Sequence, residues 1–299
     1  MGDGESPRIN YVGITPGETE EQSRTVRTST LQMLSAELFG TKVVPRLIIV
    51  LFLGDFLFKG GDTMVIIDEL KSVQRFNNST KAAHFHKTGV GEYQHGDVFW
   101  DIPLASIRKI IKSHYQDVSY DDIETLLASE VHEVRLSGFL ILTELMNCLN
   151  EKQKPRLVGF YLEHLDQCNG WDLVDLSAPA ILGTYILIVN ESGVLDVLAK
   201  SENLWHRRVA IVSTLKLIRN KDLDPTYRIV KILLQDREDL IHKACGWMLR
   251  EAGKQNRDRL NRFLQKYYNQ IPRTTLRYAI EKHEISERLA IMKGNFREV

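Results

Sequence analysis

Residues 199–211 read Ala-Lys-Ser-Glu-Asn-Leu-Trp-His-Arg-Arg-Val-Ala-Ile, a layout that recurs along the chain. Within this stretch Ser201 is followed by Arg207 and Arg208, six and seven residues later. The same six-residue spacing joins Ser129 to Arg135, Asp236 to His242 and, more weakly, Ile271 to Arg277. Positions 129, 201, 236 and 271 are 72, 35 and 35 residues apart, which leaves room for one further unit at residues 166–175. A period of about 35 residues suits two helices and two turns.

Apolar residues recur at helical spacing through most of the chain beyond residue 100. The clearest segments are Ile102–Ser113, Arg156–Leu165, Ile229–Leu234 and Arg257–Tyr268. Because no sustained two-residue alternation indicates a sheet, we predict an all-α fold. Irregular helical pairs of this length are typical of a HEAT-like solenoid, and the Trp-x-x-Leu-Gly-x-x-Tyr signature of a tetratricopeptide array is missing.

In such a solenoid the second helix of each pair lines a concave surface. Basic side chains at corresponding repeat positions would then lie along one groove, and these are Arg135, Arg207, Arg208, Lys243 and Arg277. The phosphates of duplex DNA would suit such a groove, because arginine can contact a phosphate in bidentate fashion. We therefore predict a concave, basic, DNA-binding groove.

The charge of the chain is balanced overall but unevenly distributed. Among 299 residues, 39 are Lys or Arg and 39 are Asp or Glu, which excludes a polycation of the histone type. Residues 200–299 hold 22 basic and 12 acidic residues, whereas residues 1–199 hold 17 and 27. The basic third favours an anionic partner such as nucleic acid, although it would equally suit internal pairing with the acidic remainder.

Cysteine usage and hydropathy predict a soluble protein of a reducing compartment, which we expect to be the cytoplasm, where a DNA-binding role would associate it with the nucleoid. Three widely separated cysteines without a Cys-x-x-Cys pair predict neither a disulfide scaffold nor a cysteine zinc site, and small core residues are their simplest role. The longest apolar run has seven residues, far short of the ~20 of a membrane span. Residues 1–63 lack helical patterning, so we predict a disordered or dispensable N-terminal extension there and a solenoid domain over residues 64–299. We expect the protein to be a monomer.

The strongest local motif is Trp-Asp-Leu-Val-Asp at residues 171–175, directly after the turn signal Asn169-Gly170. A helix here places Trp171 and Asp175 on one face, where a carboxylate beside an aromatic ring suits a catalytic site. The alternative is a core tryptophan, with Asp175 capping a neighbouring helix. Asp172 reads as a carboxylate favoured at a helix start.

A second motif covers residues 242–251, where Gly246 interrupts a helical pattern and predicts a close approach of another element. Trp247 follows it as a candidate groove residue, with core packing as the alternative.

Several kinds of site are absent from the sequence pattern. His84-x-His86 has no carboxylate at metal-ligand spacing, so we predict no metal site, and neither a dinucleotide loop nor Gly-x-Ser-x-Gly occurs.

These motifs together resemble the AlkD-like DNA alkylation repair family. The resemblance rests on residues 171–175, 203–211 (Asn-Leu-Trp-His-Arg-Arg-Val-Ala-Ile), 242–251 (His-Lys-Ala-Cys-Gly-Trp-Met-Leu-Arg-Glu) and 85–89 (Phe-His-Lys-Thr-Gly). It covers roughly Met64 to Glu287 and leaves out residues 1–63. It implies a HEAT-like solenoid that grips duplex DNA, and a monofunctional DNA glycosylase for base excision repair of positively charged purines such as 3-methyladenine and 7-methylguanine.

The resemblance also implies roles for individual residues. The family's catalytic aspartate corresponds to Asp175, its groove tryptophans to Trp171 and Trp247, and its phosphate-contacting arginine to Arg208. Phe85 corresponds to its N-terminal aromatic residue, Lys87 lies beside that position as a further DNA contact, and Asp101 stands where many members have glycine. Such enzymes read the lesion within the duplex, and this sequence has no insertion that would form a pocket. No cofactor is implied.

The chemistry that this family performs needs few groups. An alkylated purine with a positive ring leaves as a neutral base, so a single carboxylate suffices to stabilise the developing oxocarbenium ion and to position water. Two other functions stay open at this point: a non-catalytic solenoid that binds nucleic acid, and a scaffold whose groove binds an acidic peptide. Asp175 favours the enzyme, because a carboxylate in a phosphate-binding groove weakens binding unless it catalyses.

Overall fold

Helices make up nearly all the regular structure of the computed structural model, which describes residues 63–75, 86–89 and 92–296. Within those ranges no strand forms, and only an isolated bridge joins Val98 to Val131. The prediction of an all-α fold is therefore confirmed. The proposed extension, apart from Thr63, and the candidate residue Phe85 lie outside the described residues.

The helices follow one another with short connections. They are α1 (Thr63–Ser72), α2 (Leu104–His114), α3 (Tyr120–Leu127), α4 (His132–Cys148), α5 (Lys154–Glu163), α6 (Trp171–Ser177), α7 (Thr184–Val189), α8 (Gly193–Leu198), α9 (Leu204–Arg219), α10 (Asp224–Ile232), α11 (Asp239–Gln255), α12 (Arg257–Tyr267), α13 (Arg273–Ala279) and α14 (Ile285–Met292). Short 3₁₀ turns cover Leu165–Gln167 and Leu233–Gln235, and a π-helical turn covers Pro179–Gly183.

The repeat predicted from the sequence corresponds to one layer of helices. Helices α4, α6, α9, α11 and α13 begin at residues 132, 171, 204, 239 and 273, so successive starts are 33 to 39 residues apart. Each packs against the next in this order. The unit expected near residues 166–175 is α6, which completes the series. Helices α4 and α9 are buried on almost every side, because each has packed neighbours in both directions.

The six-residue spacing that defines the repeat has a structural cause. Arg135 Nη1 donates to Ser129 O at 2.8 Å, Arg207 Nη1 donates to Ser201 O at 3.0 Å, and His242 Nε2 donates to Asp236 O at 2.6 Å. Each basic side chain thus satisfies a carbonyl of the turn that precedes its own helix. Arg135 and Arg207, which the sequence assigned to the groove, therefore also stabilise the turns of the repeat.

Helix α6, the π-helical turn and α7 form one continuous run, Trp171–Val189. By length and composition this run could cross a membrane, with a mean hydropathy of 1.6, but 56% of that window is buried inside the fold and core helices pass the same test. Pro179 lies in its middle and lacks the N–H that would bond to Asp175 O. The backbone widens there, and Gly183 N donates to Ala178 O at 3.0 Å. The run packs between α4 and α9 as a core helix does.

The cysteines differ in burial. Cys168 and Cys245 are buried, as expected of small core residues, and their thiols have pKa values raised by burial. Cys148 is exposed, because it is the last residue of α4 and lies beyond the packed part of that helix. The expectation of a core position is therefore wrong for Cys148.

Candidate functional site

The first turn of α6 carries the central side chains of the site. Gly170 precedes the helix in extended conformation, and its added Cβ would lie within 3.1 Å of the His132 ring, so the approach of α4 requires glycine here. Trp171 and Asp175 then lie one helical turn apart, as the sequence predicted. Asp172 lies in the first turn between them, where the helix dipole favours a carboxylate.

Asp175 is held by Arg208 of α9. Arg208 donates from Nε to Asp175 Oδ1 at 3.0 Å and from Nη2 to Asp175 Oδ2 at 2.9 Å, while its Nη1 donates to Leu240 O at 2.8 Å. The arginine is 5% exposed, so this bidentate pair is shielded from water. Burial raises the pKa of the Asp175 carboxyl, and Arg208 opposes that rise. Asp175 caps none of the described helices, and both of its oxygens accept from the guanidinium.

Asp172 belongs to a second ion-pair chain that runs into the protein. His132 Nε2 lies 2.8 Å from Asp172 Oδ2, and His132 Nδ1 lies 3.2 Å from Asp97 Oδ2, which Arg135 Nη2 also approaches at 2.6 Å. Burial alone would lower the pKa of His132, but the two carboxylates outweigh it and raise the pKa to about 9. The same contacts lower the pKa values of Asp97 and Asp172. His132 is therefore a buried imidazolium between two carboxylates at neutral pH.

Aromatic rings cover this chain of charges on the cavity side. The His86 ring stacks on Trp171 with centroids 5.4 Å apart and on Phe99 with centroids 4.6 Å apart. Phe99 also stacks on His132 at 4.6 Å. Gln94 Oε1 lies 3.2 Å from His86 Nδ1 and fixes the ring from behind, and burial lowers the pKa of His86. The loop before α2 thus contributes two of the rings that surround Trp171.

These groups line a cavity of about 350 Å³, to which His86, residues 99–102, α2 and the starts of α4 and α6 contribute. Its apolar lining residues are Ile102, Leu104, Ile107, Leu136 and Leu176. The aromatic residues His86, Phe99 and Trp171 also line it. Four acidic residues, Asp101, Glu133, Asp172 and Asp175, complete the lining together with His132. The volume is within the range of small-molecule sites, and the lining suits a flat ring with positive charge.

A second group of side chains surrounds Tyr93. Lys87 Nζ lies 5.5 Å from the centroid of the Tyr93 ring, and Trp205 packs edge-on against that ring. Burial raises the pKa of Tyr93, while the charges of Lys243 and Arg208 act to lower it. Of the predicted residues, Lys87 thus lies against the Tyr93 ring, while Lys243 and Arg208 act on its hydroxyl through their charge. Lys243 also forms an exposed ion pair with Asp239 at 2.6 Å.

The other predicted residues lie further along the fold. Arg207 binds Asp236 at 2.6 Å and also donates to two turn carbonyls, so its guanidinium is engaged within the protein. Arg135 is 5% exposed and paired with Asp97. Arg277 is exposed on α13, and Trp247 is half-buried on α11 against the core. Of the five repeat-position basic residues, Arg135, Arg207 and Arg208 therefore have their charges matched by buried or half-buried aspartates.

Sequence reasoning missed His132, Phe99, Tyr93 and Asp97. No motif in the sequence singles them out: Tyr93, Asp97 and Phe99 lie in the segment before α2, and His132 is the first residue of α4. His86, His132 and Asp172 also offer ligand atoms within 4.8 Å of one another, a set that spacing in the sequence could not reveal. Both ring nitrogens of His132 already have carboxylate partners, so a metal ion would have to displace a proton there.

Comparison with known proteins agrees with this architecture. A family model described as DNA alkylation repair enzyme matches residues 66–283. No curated protein matches the chain. Among solved structures, a protein described as a predicted DNA alkylation repair enzyme from Enterococcus faecalis has a TM-score of 0.59 at 19% identity, covering 71% of this chain and 97% of that one. That likeness shows a shared fold. It rests on the structure and does not depend on the sequence motifs described above.

Proposed function

Because the chain belongs to the DNA alkylation repair enzyme family, we propose that it is a DNA glycosylase. It hydrolyses the N-glycosidic bond of positively charged alkylated purines, such as 3-methyladenine and 7-methylguanine, in duplex DNA. The observation that carries this proposal is Asp175, a carboxylate held at a cavity wall beside Trp171 by a buried arginine. A preorganised carboxylate of this kind stabilises positive charge as it develops on a sugar.

The bidentate pair explains how the carboxylate keeps its position and charge. Arg208 fixes both oxygens of Asp175, so little reorganisation is needed when the oxocarbenium ion forms. Trp171 presents its face on the same side of the helix, where it can contact a sugar or a cationic base. Because the leaving purine is already cationic, the reaction needs no acid to protonate it. Arg208 acts in this proposal chiefly by positioning Asp175.

Duplex DNA is the proposed partner, bound by a monomer in a reducing, cytoplasmic compartment. Lys87 and Lys243 beside Tyr93, together with the exposed Arg277 on α13, are the candidate phosphate contacts. Trp247 is proposed to contact the duplex from α11. Arg207 and Arg135 are left out of the DNA contacts, because their guanidinium groups are bound to Asp236 and Asp97.

A second candidate function is a nucleic-acid-binding protein without catalysis. A shielded, bidentate Asp–Arg pair is also what a purely structural ion pair looks like. Asp236 and Arg207 form such a pair in the neighbouring repeat, away from the cavity lining. The two pairs therefore offer a matched comparison between a catalytic and a structural role.

The experiment is single-turnover release of methylated bases from alkylated duplex DNA, with uracil-containing duplex as the substrate control. We expect Asp175→Asn to lower the excision rate by about 100-fold or more, because it removes the charge that faces the sugar. Asp236→Asn should retain the rate per folded molecule, although it disturbs an equivalent pair. Uracil should stay in place, since a neutral base leaves only with an acid's help. Excision at the normal rate by Asp175→Asn would contradict a catalytic role for Asp175, and the ion pair with Arg208 would then be structural.

A further inference from the structure

Two histidines and an aspartate from three separate parts of the chain meet at the cavity. His86 lies in the segment before α2, His132 is the first residue of α4, and Asp172 lies in the first turn of α6. Each offers one ligand atom, and these atoms all lie within 4.8 Å of one another. All three residues also line the cavity of about 350 Å³, so an ion bound between them can be reached from it.

The two histidine rings are oriented as metal ligands usually are. His132 Nδ1 lies 3.2 Å from Asp97 Oδ2. His86 Nδ1 lies 3.2 Å from Gln94 Oε1. A ligating histidine almost always donates its other ring N–H to an oxygen acceptor, which fixes the tautomer and the orientation of the ring. With Nδ1 as the donor in both rings, Nε2 is the ligand atom, and His132 Nε2 already lies 2.8 Å from Asp172 Oδ2.

The carboxylate of Asp172 has an oxygen that the protein does not satisfy. Asp172 Oδ1 is shielded from solvent and accepts no hydrogen bond from another described residue, whereas Oδ2 contacts His132. Asp101 Oδ2, in the lining of the same cavity, is unpaired in the same way. Buried acceptors in native proteins nearly always have a partner. Two unsatisfied carboxylate oxygens beside the histidine pair indicate more positive charge at this place than the proton of His132 supplies.

The donor set selects the class of ion. Two imidazole nitrogens and one carboxylate suit a first-row transition ion such as Zn²⁺, whereas Mg²⁺ and Ca²⁺ prefer oxygen ligands. A tetrahedral zinc ion separates its ligand atoms by about 3.3 Å, so the atoms here approach by at most about 1.5 Å on binding. Phe99 stacks on His86 and on His132, each with centroids 4.6 Å apart, and supplies an apolar shell that limits the access of solvent.

We propose that His86, His132 and Asp172 bind a zinc ion whose fourth position is open to the cavity. The ion takes the place of the His132 Nε2 proton, so the charges of Asp97 and Asp172 stay compensated. It joins the segment before α2 to α4 and α6, and the His86 ring, stacked on Trp171, transmits that constraint to the tryptophan. The sequence predicted no metal site because its three ligands are far apart along the chain. The site does not depend on the proposed glycosylase function.

The test measures the binding of Zn²⁺ itself to the full chain after dialysis against a chelator, which leaves His132 in its protonated form. Competition with a chromophoric chelator gives the affinity and the stoichiometry. We expect one zinc ion per chain, with a Kd of about 1 μM or lower. Zinc at a hundredfold excess over Kd should raise the melting temperature by about 5 °C or more. Mg²⁺ and Ca²⁺ at the same concentration should not displace it.

Variants separate this site from adventitious binding by surface histidines. His86→Gln and Asp172→Asn each remove one ligand and should weaken zinc binding by about 100-fold or more. Gln94→Leu removes only the acceptor behind His86 and should weaken binding by about tenfold, as expected of an outer partner. His95→Gln is the matched control, because His95 is exposed in the same segment and lies outside the lining. It should bind zinc as the unaltered protein does.

Cobalt gives a measurement that needs no variant. Co²⁺ in a four- or five-coordinate protein site absorbs visible light far more strongly than the hydrated ion, and a thiolate ligand adds a near-ultraviolet charge-transfer band. We expect strong visible bands without the thiolate band, and Zn²⁺ should abolish them. A thiolate band would place the ion at a cysteine such as the exposed Cys148 and overturn the proposal. Absence of zinc binding by the unaltered protein, unchanged affinity in His86→Gln and Asp172→Asn, or an equal loss in His95→Gln would also overturn it.

Discussion

At the scale of single residues, the molecule is organised by aspartates that each hold a cation from another helix. Asp175 binds Arg208, Asp236 binds Arg207, and Asp97 binds both His132 and Arg135. Three of these cations, Arg135, Arg207 and Arg208, come from the repeat positions that the sequence assigned to the groove. Internal pairing is favoured there because the side chains are buried, and an unpaired buried charge would cost several kcal/mol.

His132 provides a residue-scale prediction about pH and stability. Its pKa is raised from the ordinary 6.5 to about 9. Its contribution to the free energy of unfolding is therefore complete below about pH 6.5 and is lost as pH rises through about 9. The shift corresponds to about 3 kcal/mol of unfolding free energy, shared with the two aspartates that cause it. Urea unfolding at pH values across this window should show that loss in the unaltered protein. His132→Gln should show a flatter profile, and an identical profile in both proteins would contradict the assigned charge.

Arg208 and Lys243 differ in how fully their positive charge is already paired within the protein, and hence in how strongly each can attract DNA phosphates. Lys243→Ala should lower the slope of log K against log salt concentration by ~1, since its ammonium is partly exposed beside Tyr93. Lys231 on α10 is exposed and outside the Tyr93 group, so Lys231→Ala should leave the slope unchanged. Arg208→Ala should alter the slope less than Lys243→Ala, because Arg208 is already paired with Asp175. Filter or fluorescence titrations at several salt concentrations measure the slope, and equal effects of the two lysine variants would refute this assignment.

At the scale of helices, glycines decide how closely the repeats pack. The sequence predicted a close approach at Gly246, and a Cβ there would lie 2.6 Å from Thr275 O on α13. Thr275 also donates to His242 O at 2.9 Å, so the two backbones are fixed against each other. The prediction is therefore confirmed, and its cause is a contact that no local pattern specifies.

Replacing Gly246 tests that contact. Gly246→Ala gains up to about 1 kcal/mol of helix propensity but forces a methyl group into backbone atoms of α13, so we expect a net loss of about 2 kcal/mol. Gly138→Ala on α4 is the comparison, because its added methyl meets the end of the flexible Leu127 side chain at 2.8 Å. Thermal and urea unfolding measure both variants. A loss at Gly246 no larger than that at Gly138 would contradict a rigid approach of α11 and α13.

The ends of three helices differ by one or a few residues from the segments predicted by periodicity, and prolines and capping residues explain the differences. The predicted segment Ile102–Ser113 became Leu104–His114, because Pro103 takes the N-cap position. The segment Arg156–Leu165 became Lys154–Glu163, with Pro155 near its start, as proline favours a first helical turn. Arg257–Tyr268 became Arg257–Tyr267, begun by the cap Asn256, which accepts from Arg259 N. Prolines and caps therefore refined boundaries that periodicity had located.

At the scale of the whole molecule, the basic residues of the C-terminal third form ion pairs of two kinds. Some of the C-terminal arginines pair within their own third, as Arg250 does with Glu281 and Arg257 with Glu287. Others bind aspartates of the acidic remainder, as Arg208 and Arg228 do. Internal pairing and attraction of an anionic partner were both open from the sequence. The described ion pairs establish the first, and the salt dependence described above tests the second.

The sequence by itself determined the helical class, the period of about 35 residues and the motif at residues 171–175, because periodicity, turns and caps act over short distances. It also located Asp175 and Trp171 on one helical face. Only the tertiary structure decided which charged side chains pair with one another. Arg208 meets Asp175 across 33 positions and His132 meets Asp172 across 40. His86, Phe99, Asp101 and Ile102 line a cavity together with α2, α4 and α6, which no local pattern indicates. Such contacts depend on the packing of successive repeats, which brings together side chains that are distant along the chain.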